Sequence, residues 1–138
     1  MSFREKSAWI TLISVLLCFG VYFGAIIAGS VESHSFAAMH LLLACVAGLI
    51  VLRIVLNALA KATTAKDGLA PSDEREELIQ GRAHSLGYYL LTALMLTLFL
   101  PVHLGHSAID IANFALLNVV LTALAVAGAQ IVMFRRGA

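Results

Sequence analysis

Four of the five histidines in this chain of 138 residues fall into two short stretches, His34 and His40 in one, His103 and His106 in the other. Each stretch carries an acid, Glu32 and Asp110 respectively. Imidazole binds zinc, copper or haem iron through a ring nitrogen, and helical bundles build such sites from side chains on facing helices. His103 and His106 stand at i,i+3 and His106 and Asp110 at i,i+4, spacings that share one helix face. Pro101 lies just before them and can end or kink a helix there. His40, His103, His106 and Asp110 are therefore the candidate ligands of a transition metal or a haem. Two other readings stay open: a proton-relay or pH-sensing pair, and boundary residues whose rings bond to backbone or water.

The second polar constellation is Asp73-Glu74-Arg75-Glu76-Glu77, running on to Arg82 and His84. On a helix, Arg75, Ile79, Arg82, Leu86 and Tyr89 form one stripe, and Asp73, Glu76, Glu77, Gln80 and His84 another. Neither arginine has an acid three or four positions away, so the usual intrahelical pairs are missing. Partners are expected from elsewhere, such as Arg53, Lys61, the terminal Arg135 and Arg136, or another molecule. Arg53 itself lies about two turns inside an apolar segment, where a charge must pair or snorkel. Asp73, Glu74, Arg75, Glu76, Arg82 and Arg53 are thus candidates for a docking or ion-pair surface, with a solvated helix start as the plainer alternative. No residue is assigned a catalytic role.

The elements that must position these groups follow from composition. Hydrophobic residues make up 61% of the chain and charged ones 12%, against about 25% charged in soluble domains. A water-soluble surface cannot be covered with so few charges, so lipid is the solvent for much of the molecule. A spanning helix uses about 20 apolar residues. Four segments qualify, roughly Ser7–Gly29, Phe36–Ala60, His84–Val102 and Ile109–Phe134. Runs such as Leu41-Leu42-Leu43 do not alternate as barrel strands must, which excludes a β-barrel. The expected fold is a single all-α domain, a four-helix transmembrane bundle of two antiparallel hairpins.

With four spans, all nine lysines and arginines fall on one side, and the loops Ser30–Ser35 and His103–Ala108 contain none. Basic residues are retained in the cytoplasm, so both termini are expected there, in a bacterial inner membrane. The first segment also has the ingredients of a secretory signal, but its apolar stretch exceeds the usual length and it is expected to remain as a span. Cys18 and Cys45 read as small hydrophobes, and the lack of a C-x-x-C argues against thiol redox chemistry.

Pro71 and Ser72, followed by acids, have the form of a helix start, so the third helix is expected to begin near Ser72 and protrude into the cytoplasm before the span. Small-residue faces, Gly20/Gly24/Ala28, Ala44/Gly48, Ala123/Ala127 and Ala125/Ala129, permit close helix approach, within the chain or between copies in a homo-oligomer.

Asp73-Glu74-Arg75-Glu76, leading through Arg82-Ala83 into Gly87-Tyr88-Tyr89, resembles a segment of small bacterial inner-membrane proteins of unknown function. The opening Ser2-Phe3-Arg4-Glu5-Lys6 and the closing Phe134-Arg135-Arg136-Gly137 are similar to theirs as well. The resemblance implies a four-helix inner-membrane protein and no activity. Arg82-Ala83-His84 is also similar to an element of the four-helix membrane glutathione transferases, but Leu86 and Tyr89 stand where that element continues with Asn and Glu. Together these features lead to an interaction or regulatory membrane protein working through the charged start of the third helix. A metal- or haem-binding protein is the alternative. The expected partners are the bilayer, a cytoplasmic or membrane protein, or a second copy, and no nucleic acid.

Overall fold

The computed structural model describes residues 3–63 and 74–136. They form α1 (Phe3–Ile27), α2 (Phe36–Ala62), α3 (Glu74–Leu96), a short α4 (Phe99–His103) and α5 (Ala108–Arg136). Four helices are long and apolar enough to cross a membrane, the third formed by α3 and α4 together. The expected start of α3 at Ser72, and Asp73 with it, lies outside the described residues; within them the helix is in place from Glu74.

The two connections at the end of the molecule opposite the chain termini are built alike. After α1, Gly29 adopts φ +70, Ser30 N–H donates to the Ala25 carbonyl at 3.0 Å, and Gly29 N–H donates to that of Ile26 at 3.1 Å. After α4, Gly105 at φ +77 allows the same pair of bonds, from His106 to Pro101 and from Gly105 to Val102. This is the Schellman closure, and its left-handed residue is where glycine avoids a Cβ clash. Each connection then ends on a capping serine. Ser35 Oγ accepts from Ala38 N–H at 3.2 Å, and Ser107 Oγ accepts from Asp110 N–H at 3.2 Å.

The third span breaks at Thr97–Leu98, four residues before Pro101 rather than at it. The offset has a simple cause. Proline has no N–H to offer the carbonyl of residue i−4, here Thr97, and its ring crowds that carbonyl. Thr97 and Leu98 instead donate to carbonyls three residues back, and the Leu94 carbonyl takes three donors: Thr97 N–H at 3.1 Å, Thr97 Oγ1 at 2.6 Å and Asn118 Nδ2 at 2.8 Å. Asn118, buried on α5, thus fastens α5 to the break. Asn118→Leu is expected to loosen the α3–α5 contact by roughly 1 kcal/mol, the usual size of a hydrogen bond between spanning helices. Reversible unfolding in mixed micelles would measure it, and the break should persist because Pro101 sets it.

Packing joins α1 to α2, α1 to α5 and α3 to α5, with no comparable contact between α2 and α3. The inner helices are therefore α1 and α5, and the outer ones α2 and α3. Val15, Phe19 and Val120 form the buried core between α1 and α5. Tyr22 adds a polar tie by donating its hydroxyl to Asn113 Oδ1 at 2.7 Å. α3 and α5 approach closely at small residues. Ala83 is fully buried, and a Cβ built on Gly87 would collide with the Cγ2 methyl of Val126. Of the expected small-residue faces, Ala123 and Ala127 are used inside the chain. Gly20, Gly24 and Gly48 are not, since a Cβ there would meet nothing within 4 Å.

Candidate functional site

The charged end of the molecule is assembled from three helices. Arg4 Nε on α1 meets Glu76 Oε2 on α3 at 3.2 Å, and Arg135 Nε on α5 meets Glu5 Oε1 on α1 at 3.7 Å. The Arg135 guanidinium also lies 5.4 Å from the centre of the Trp9 ring. Partly exposed pairs of this kind contribute about 0–1 kcal/mol each. Their consequence is positional: the start of α1, the start of α3 and the end of α5 are held together.

This pairing corrects the expectation for the charged segment. It is the acid Glu76 that reaches another helix. Arg75 and Arg82 form no ion pair among the described residues. The expected stripe also divides. Ile79 is buried with Ala83 and Gly87 against the rest of the chain, whereas Arg75, Arg82, Leu86 and Tyr89 are exposed. The reason is that α3 turns its smallest residues toward α5, which rotates the arginines outward. Sequence reasoning had Arg4 only as a marker of sidedness, although its place beside an acidic helix start on the same side was the available clue. Beyond the pairs, Glu74, Glu77, Leu78, Gly81, Arg82 and Ser85 lie together along one open face of α3. Arg53 is exposed on α2 and has no ion pair among the described residues.

At the opposite end Asp110 is engaged by Ser107 and His34, not by His106. Ser107 Oγ donates to Asp110 Oδ2 at 2.7 Å and its N–H to the same oxygen at 3.3 Å, a capping box for α5. His34 Nε2 sits 3.4 Å from Asp110 Oδ1 and 3.5 Å from Ser107 Oγ. A Ser-His-Asp relay needs the imidazole between the other two, one nitrogen to each. Here one nitrogen faces both, and the serine proton already goes to the carboxylate. The cluster straps the first loop to the start of α5 and does not activate a nucleophile.

His40 and His103 are exposed, and in each the Nδ1 lies 2.8 Å from the carbonyl one turn back, Phe36 and Phe99 respectively. His106 packs edge-on against Phe114, ring centres 5.8 Å apart. Among the described residues no three or more His, Cys, Asp or Glu side chains gather as a metal would require.

The fold and both ends thus define a class, an all-helical chain with four helices suited to a membrane. No protein-family model, curated protein or solved structure matches the chain.

Proposed function

We propose that this chain is a small multi-pass protein of a bacterial inner membrane, with both termini in the cytoplasm. It acts as an interaction or regulatory component through the charged start of α3. The observation that carries this reading is the pairing of Arg4 with Glu76, which fixes the segment against α1 while Glu74, Arg75 and Arg82 stay exposed. Charges of both signs held on a packed helix form a docking surface with little entropy left to lose. A solvated linker would have to be ordered first. The absence of basic residues from the opposite connections supports the orientation.

A photoreactive amino acid placed at Arg75 in the living cell tests the function. It should give discrete cross-linked species that disappear when Glu74 and Arg82 are both reversed in charge. The same probe at Val31, in the opposite connection, should give none of those species. Cross-linking at Arg75 to lipid alone would reject the docking role.

A further inference from the structure

One polar side chain inside the bundle uses only part of its hydrogen-bonding capacity. Asn118 is 7% exposed and lies ten residues into α5, about 15 Å along its axis. Its Nδ2 donates to the Leu94 carbonyl, which fixes the amide with Oδ1 turned away from that bond. Oδ1 accepts no hydrogen bond among the described residues, yet it is not sealed in as Ser14 Oγ is. Asn118 lines a cleft of about 260 Å³ between the broken third span and α5. Thr97 and Pro101 border the cleft on one side, Phe114 and Asn118 on the other, and Leu104 and His106 come from the connection. The side chains lining it are apolar except for three. Asn118 Oδ1 is an acceptor. Thr97 Oγ1 has given its proton to the Leu94 carbonyl at 2.6 Å, so toward a ligand it too only accepts. The His106 ring has no hydrogen bond among the described residues and packs edge-on to Phe114.

An acceptor at this depth in a bilayer has no bulk water to satisfy it and is costly to leave unpaired. An acyl chain fills the same space but offers Oδ1 no donor. A mainly apolar cleft with a few placed polar groups is the usual form of a small-molecule site. An apolar cavity of about 150 Å³ holds benzene, so this cleft has room for one ring with a short side chain. We infer that it binds a lipid-soluble monocyclic phenol, the hydroxyl donating to Asn118 Oδ1 and the ring lying against Phe114. The two acceptors at Asn118 and Thr97 select the hydroxyl, and the apolar walls select the ring. The site lies toward the end opposite the charged start of α3 and stands independently of the docking role.

The test is nuclear magnetic resonance of the full chain in detergent micelles, titrated with para-propylphenol and, separately, with its methyl ether, para-propylanisole. The ether keeps the ring and side chain but has no donor, and the two are compared at equal concentration within the micelle. In the wild type the phenol should shift the Asn118 side-chain amide signal saturably. The signal of Asn57, near the other end of the molecule, should stay in place. The ether should bind roughly tenfold more weakly, the worth of one hydrogen bond. Asn118→Leu, read from the backbone signals of Leu104 and His106, should bind the two compounds equally. Phe114→Ala should weaken both and keep the preference for the phenol. Shifts that grow linearly and alike for both compounds mean partition into the micelle only and overturn the inference. Saturable binding in which the wild type takes the ether as well as the phenol makes the cleft a seat for acyl chains and overturns it too. So does a preference for the phenol that survives Asn118→Leu. The comparison of phenol with ether in the wild type decides the matter even where Asn118→Leu fails to fold.

Discussion

Gly87→Leu is expected to disrupt the contact between α3 and α5 and to be the most destabilising single change in the described helices. A Cβ alone already collides with Val126 and reaches Thr122 Cγ2 at 3.7 Å, and leucine adds three further carbons in the same direction. Overpacking of this kind costs about 1–3 kcal/mol, and more where the backbone must move. Here it must, because Ala83, one turn away, is fully buried and leaves no slack. Unfolding in mixed micelles would give the magnitude. Gly87→Ala alone should cost less than Gly87→Leu, and adding Val126→Ala should recover most of that smaller loss, because it removes the colliding methyl groups. Gly81→Ala in the same helix should instead leave the isolated chain as stable or raise its stability by roughly 0.5–1 kcal/mol, since it meets nothing and favours helix. Equal losses at the two glycines would mean that helix propensity, not the α5 contact, governs both.

The second large effect is all-or-none. Alkaline phosphatase is active only outside the cytoplasm, so a fusion after Ala138 or within residues 64–73 should be inactive and one within residues 30–35 active. Green fluorescent protein at the same places should give the reverse pattern. The basis is the one-sided distribution of nine basic residues, each costly to carry across the membrane near a span. An active phosphatase at the C-terminus would reject the cytoplasmic placement of that end. The pairs Arg4–Glu76 and Glu5–Arg135 hold the start of α1, the start of α3 and the end of α5 at one end, so fusions at the two termini should report the same side.

The spans were legible because their signal is additive. Twenty or more apolar residues in a row exceed any reasonable competing arrangement, and no tertiary contact is needed to read them. The start of α2 at Phe36 was legible from the onset of the apolar run, and the structure adds that Ser35 caps it. Ser107 and Asp110 show the limit. The sequence offered Asp110 as a partner for His106, one helical turn earlier, but the aspartate caps α5 with Ser107 and faces His34 from the other hairpin. Spacing gives shared faces only inside one helix, and His106 lies before α5, which begins at Ala108. The break in the third span was anticipated at Pro101 and falls one turn earlier, because the missing donor is felt at the carbonyl of residue i−4.

By itself the sequence determined the helical class, the four apolar spans, the grouping of the basic residues, and the two polar constellations. These depend on solvent preference and on local backbone chemistry, which each residue carries with it. Only the tertiary structure decided which helices are inner and which outer, that Glu76 rather than either arginine makes the cross-helix pair, and that Gly87 is filled while Gly81 stands open. In lipid every helix is apolar on most sides, so hydrophobicity does not mark the packed face. Steric fit between small residues and a few polar contacts select it, and those exist only once two helices have met.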